Sequence, residues 1–157
     1  MGTARGVQLT RDGKARLEEE LRQLREHRLP ELSQRIQEAT EDGDVTDNSE
    51  YEDLKEEYNR TEGRLHELEN ILESAAIIEE GSRDGTIQVG SHVTVRTPDD
   101  SEDETWVLVS PEEAFAPEGR ISSDSPVGQA LLGSRAGDAI TVTTPGGDIV
   151  YTVVDVK

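Results

Sequence analysis

Asp42, Asp44 and Asp47, with Glu50 close behind, crowd into residues 42–50 of the chain. Carboxylates at that spacing have three physical uses. Asp and Asn bond to their own nearby backbone and so shape turns, and acids at a helix start complement its dipole, so Asp47 or Asn48 can simply cap a following helix. A calcium loop is the second use, because Asp42, Asp44 and Thr46 alternate, but Asp47 stands where the sharp-turn glycine belongs and Asp53 where the bidentate Glu belongs. The third use is part of a magnesium shell. Magnesium takes one or two carboxylates and completes its shell from a partner, so this cluster reads as half of a site.

Other chemistry is thinly represented. The chain has no cysteine, which removes thiolate nucleophiles and Cys-based zinc sites. His27, His66 and His92 are too far apart in sequence to give a ligand spacing. There is no glycine-rich phosphate loop and no serine nucleophile motif. Net charge is −19, from 35 acidic against 16 basic residues, so any contact with nucleic acid must be local. Arg28, Arg35, Lys55, Arg60 and Arg64 could line up phosphate contacts, although flanking charges are ordinary in helical pairs; Lys55 is the RNA-contact candidate. No stretch approaches 18 apolar residues and Met1 is followed by a polar segment, so a cytoplasmic protein without membrane contact is expected.

The acidic cluster needs elements to carry it. Leu17, Leu21, Leu24, Arg28, Leu32, Ile36 and Ala39 recur every three or four residues before it; Tyr51, Leu54, Tyr58, Thr61, Leu65, Leu68, Leu72 and Ala75 do so after it. Folding back at residues 42–48 faces Leu17 with Ala75, Leu24 with Leu68 and Ile36 with Tyr58, at index sums of 92 to 94. A near-constant sum predicts an antiparallel coiled-coil hairpin with the acids at its tip. Pro30 should interrupt the first helix, because its ring removes a donor and crowds the preceding turn.

Near Gly81 the composition changes to Gly, Pro and short Val, Ile and Thr runs. Strands are predicted over His92–Arg96, Thr105–Ser110, Ala139–Thr143 and Ile149–Val156, the last two joined through Pro145-Gly146-Gly147. Pro126–Leu132 suits a short helix capped by Ser125 and stopped at Gly133. Trp106 and Phe115 are expected to anchor the core. The fold class is therefore α+β: residues 1–80 form the coiled coil, with its acidic tip at 42–50, and residues 81–157 a small domain on an antiparallel sheet.

Gly43-Asp44-Val45-Thr46-Asp47-Asn48-Ser49-Glu50-Tyr51 resembles the tip signature of the Gre transcript-cleavage factors. Ser125-Pro126-Val127-Gly128-Gln129-Ala130-Leu131-Leu132-Gly133, with Thr144-Pro145-Gly146-Gly147, resembles the C-terminal signature of the same family, and Leu29-Pro30-Glu31 and Glu62-Gly63-Arg64 fall in the family's order. The resemblance runs from about Val7 to Val156. It implies an N-terminal antiparallel coiled coil and a C-terminal domain similar to FK506-binding proteins. It also implies a monomer that binds bacterial RNA polymerase, inserts the coiled coil through the secondary channel and stimulates the polymerase's own cleavage of a backtracked transcript, beside the RNA 3′ end. Such a factor is no enzyme by itself. The family's acidic pair falls on Asp44 and Asp47, which would share a second magnesium ion with the polymerase active site; none is expected on the isolated protein. Asp47 is one methylene shorter than the Glu usual there, and Thr46 replaces a residue that is often Lys or Ser. The neighbourhood of Asp124, Ser125 and Pro126 lies on the family's polymerase-docking side.

Overall fold

The computed structural model describes residues 7–41, 49–99 and 102–157. Two compact units emerge. Lys14–Ser74 form the first, and the described residues before Lys14 join Ala75–Lys157 in the second. That differs from a break at residue 80: a short parallel pair, β1 (Gln8–Leu9) with β2 (Ala76–Ile77), ties the start of the chain to the segment after the helices. Two-residue strands leave no periodicity to read.

The helical unit holds the greater part of α1 (Arg11–Gln23), a π-helical turn over Leu24–Arg28, α2 (Leu29–Glu41) and α3 (Ser49–Ser74). At about 1.5 Å per residue α3 is about 40 Å long. Every residue of the two predicted seams is buried or half-buried; Leu17, Leu32, Leu54, Leu65 and Leu68 are buried outright, and Ile71 joins them. α2 packs on α3 as the hairpin requires, and ion pairs bridge the arms: Glu20 with Arg64, Arg25 with Glu69 at 3.2 Å and Arg28 with Glu57. Of these only Arg25 with Glu69 meets the expected index sum; the other two pairs fall at 84 and 85.

The interruption expected at Pro30 takes the form of the π turn just before it, where the Leu29 N–H donates to the Leu24 carbonyl five residues back. Two causes converge. Pro30 offers no N–H to the Glu26 carbonyl. Leu24, Arg28 and Leu32 are also spaced by four, a run that a helix of 3.6 residues per turn carries off the seam unless a wider turn takes in the surplus.

In the second unit, β3 (His92–Arg96), β4 (Glu104–Val109), β5 (Arg120–Ser122), β6 (Ala139–Thr144) and β7 (Gly147–Val156) form one sheet in the order β5-β4-β3-β7-β6. The predicted strands are all present. The sheet is mixed rather than purely antiparallel, because β5 runs parallel to β4, Val107 opposite Arg120 and Val109 opposite Ser122. The intervening chain makes two 3₁₀ turns, Pro111–Glu113 and Ala116–Glu118, long enough to cross back before pairing. Helix α4 (Pro126–Leu131) brings Leu131, with Val127 and Ala130 beside it, against Val93, Val95, Leu108, Ile140, Val142 and Val153. Trp106 borders this core and meets Tyr151 edge-on at 5.3 Å. Phe115 does not anchor it: lying between the two 3₁₀ turns, it is 50% exposed.

The polar centre of this unit has no sequence signature, because its members are 103 residues apart. The Glu113 carboxylate, nearly fully buried, accepts from the Thr10 N–H at 3.0 Å and from the Thr10 hydroxyl, and pairs with the buried Arg120 guanidinium. Thr10 Oγ1 in turn accepts from the Gly13 N–H at 3.0 Å and from Arg120 at 3.1 Å. Glu113 and Thr10 together therefore satisfy donors at the α1 N-terminus. A Cβ at Gly13 would stand 2.1 Å from Glu113 Cδ, so only glycine admits the carboxylate. Removing one charge of such a pair strands the other. Glu113→Gln should lower the unfolding free energy of this unit by about 3–5 kcal/mol, read as a lower urea midpoint in Trp106 fluorescence.

Candidate functional site

Asp44 and Asp47, with the rest of 42–48, lie outside the described residues. What borders them is acidic. Glu50 and Glu52 occupy the first turn of α3, and Lys55 is the one cation from Ser49 to Asn59. The Lys55 ammonium sits 5.2 Å from the centre of the Tyr51 ring, one turn back on the same helix. Tyr51 is half-buried in the seam, so the ring holds the cation while the amine remains exposed on the flank, where a phosphate could reach it.

The other candidate cations divide. Arg28 is taken by Glu57 and Glu31, and Arg64 by Glu20 and Glu67; bonding to Glu20 foremost raises the Arg64 pKa above its ordinary range. These two arginines brace the arms. Toward the other end, the Arg22 hydrogen bond first, with help from Gln23, lowers the Glu19 carboxyl to about 2. Arg35 and Arg60 have no ion-pair partner among the described residues.

Asp124, Ser125 and Pro126 come together at the start of α4. Ser125 caps the helix: its hydroxyl accepts from the Gly128 N–H at 3.0 Å and donates to the Ser122 carbonyl at 2.7 Å. The Asp124 N–H donates to Ser122 Oγ at 3.1 Å, leaving the Asp124 side chain exposed beside the exposed ring of Pro126. Gly128 has no room for a side chain, since a Cβ there would lie 2.0 Å from the Ser122 carbonyl oxygen. One turn is thus pinned from both ends, presenting a carboxylate and a rigid ring to solvent. Lys55 belongs to the helical unit and this turn to the sheet unit.

Sequence reasoning missed the Thr10, Glu113 and Arg120 centre and a hydrogen bond of 2.8 Å between His92 Nε2 and Glu80. Among the described residues no group of three or more His, Asp or Glu could hold a metal, and no helix is long and apolar enough to cross a membrane.

Comparison with known proteins bears on both units. Residues 7–77 match the family model described as "Transcription elongation factor, N-terminal", and residues 82–157 match "Transcription elongation factor, GreA/GreB, C-term". The chain belongs to the GreA/GreB family of transcription elongation factors. Within that family it is GreA-like. It is similar to a protein named transcription elongation factor GreA from Roseiflexus sp. (strain RS-1), 45% identical over 150 residues covering 95% of this chain and 96% of the relative. The GreA of Chloroflexus aurantiacus is 44% identical, with 99% of both chains covered. The solved structure of GreA factor homolog 1 (Gfh1) from Thermus thermophilus is 41% identical over 98% of this chain and 99% of that one, with a TM-score of 0.46.

In this Gre-family chain the Ser125 cap can be tested apart from any partner. Ser125→Ala should cost about 1 kcal/mol of stability, measured by urea unfolding, and Ser125→Asn should recover most of it, because the amide can both accept from the Gly128 N–H and donate to the Ser122 carbonyl.

Proposed function

We propose that this chain binds bacterial RNA polymerase and, through its acidic tip, stimulates the polymerase's own hydrolysis of backtracked transcripts, rescuing arrested complexes. The observation that carries the reading is the joining of two arms along one seam, leaving as their connection the single segment 42–48, which holds both Asp44 and Asp47. Family membership across both units supports it.

The division of labour follows from the chemistry. Asp44 and Asp47 offer carboxylate oxygens, the hard ligands that magnesium takes, and two such residues are too few for a whole shell. They fit an ion already held in part by a partner. A magnesium ion so held would supply charge stabilisation for the attacking and leaving oxygens of phosphoryl transfer. The protein's own task would be to bring these two acids, carried on the segment that joins its arms, to that ion. Lys55, steadied over Tyr51, would contact a phosphate of the RNA 3′ segment. Asp124, Ser125 and Pro126, fixed by the capped turn, would meet the polymerase surface. The factor would act in the cytoplasm, as a monomer, and without catalysis of its own.

The test is a stalled, backtracked complex of purified polymerase with and without this protein. Cleavage should accelerate with the parental chain. Asp44→Asn and Asp47→Asn should each reduce that acceleration by at least about tenfold with polymerase binding retained, since each keeps the shape and removes a ligand charge. Parental protein that binds but slows cleavage would make it an inhibitor of the same channel, the reading to which Asp47 and Thr46 in place of the family's usual residues point. Parental protein that does not bind polymerase would leave a coiled-coil adaptor for some other protein.

A further inference from the structure

β6 ends the sheet, and its outer edge is open. The Val153 N–H donates to the Asp138 carbonyl at 2.8 Å, so the residues of β6 that exchange bonds with β7 are Ile140, Val142 and Thr144. Ala139, Thr141 and Thr143 alternate with them. Their N–H and carbonyl groups turn away from β7, and no described backbone group meets them there. A row of unmade donors and acceptors is a template for another strand.

The two edges of this sheet are unlike. β5 has only three residues, and on its open side Arg120 already exchanges backbone bonds with Phe115, at 2.9 and 3.2 Å. β6 runs over Ala139–Thr144 without a charge, a proline or a break in its register with β7. Those are the devices that ordinarily keep an edge from pairing. Beside it on β7, Ile149 and Val150 are 38% and 40% exposed.

Symmetry narrows the occupant. When two copies of β6 lie antiparallel about a twofold axis at Thr141, that residue faces its own counterpart and Ala139 faces Thr143. All of these are outward-bonding residues, so every free N–H of one strand meets a free carbonyl of the other. Asp138 falls opposite Thr144, and no like charges are opposed along the ladder. A net charge of −19 makes copies of this chain repel one another in general, and the uncharged β6 edge is where that repulsion is least.

We propose that the β6 edge is a self-association surface, joining two copies of this chain into one continuous sheet through antiparallel β6 strands. The pair is a state of the free protein. The polymerase reading above uses a single copy, and neither depends on the other.

Sedimentation velocity on the full chain tests this. Between about 1 µM and about 1 mM, the range suited to a small interface, the mass should rise from one chain towards two. Thr141→Lys sets like charges against each other at the axis, and Thr141→Pro removes one outward donor from each copy while sparing the bonds to β7; each should weaken association by about tenfold. Thr105→Lys, which adds the same charge at an exposed position on β4, should stay within about twofold of the parent. Circular dichroism and Trp106 fluorescence establish that each variant is folded. Hydrogen exchange supplies an arm free of substitutions: the Ala139, Thr141 and Thr143 amides should slow as concentration rises, whereas Ile140 and Val142, already bonded to β7, should be slow throughout. A parent that stays monomeric at the highest concentration would overturn the proposal. So would a pair that persists unweakened in both folded Thr141 variants, or one that forms without slowing the alternate amides.

Discussion

Two helices that face only each other can bury one stripe each, and the helical unit is built within that constraint. Leu17, Leu32, Leu54, Leu65, Leu68 and Ile71 are buried outright and the other seam residues in part, so the seam must supply the stability that a second layer would otherwise provide. The flanking ion pairs add little by comparison, because exposed pairs contribute about 0–1 kcal/mol each. They bridge the arms, Arg64 to Glu20, Arg25 to Glu69 and Arg28 to Glu57, from the water-facing flanks. The same constraint explains how so acidic a chain folds at all. Charges on the flanks face water, and only the stripe is withdrawn from it.

The sheet unit meets the opposite problem, since it encloses an ionised group. Glu113 and Arg120 are buried together, and Thr10 bonds to both, so the cost of withdrawing two charges from water is offset by a shared set of hydrogen bonds. The arrangement is exacting. It requires a glycine at position 13 and an acid brought in by the 3₁₀ turn that ends at Glu113. Through it, residues at the beginning of the chain become part of the unit formed at its end.

What was legible in the sequence is what repeats. Both seams, the long strands, the Ser125 cap and the Gly133 stop announce themselves through period or residue type, because local sterics and one-sided burial dictate them. The β1–β2 pair, the parallel β5 and the Glu113 centre depend on partners far away in sequence, and nothing at Thr10 or Ile77 advertises a strand or an ion pair. Phe115 shows the limit of residue type: size and apolarity suggest a core anchor, but the turns on either side direct it outward. For the candidate sites, the motif gave the positions of Lys55 and Ser125, while the contacts that hold them, the Tyr51 ring and the Ser122 carbonyl, required coordinates.

The π turn at Leu24–Arg28 has a bearing on how such hairpins diverge. A helix that absorbs one surplus residue in a widened turn can also shed it: deletion of a single residue there restores an ordinary α turn and moves the flanking stripe by a fraction of a turn instead of a whole heptad. Neighbouring lineages can therefore differ by one residue in the first arm without a matching change in the second. An alignment of the arms would show that freedom as an isolated gap just ahead of Pro30, with every other length change occurring in compensated pairs.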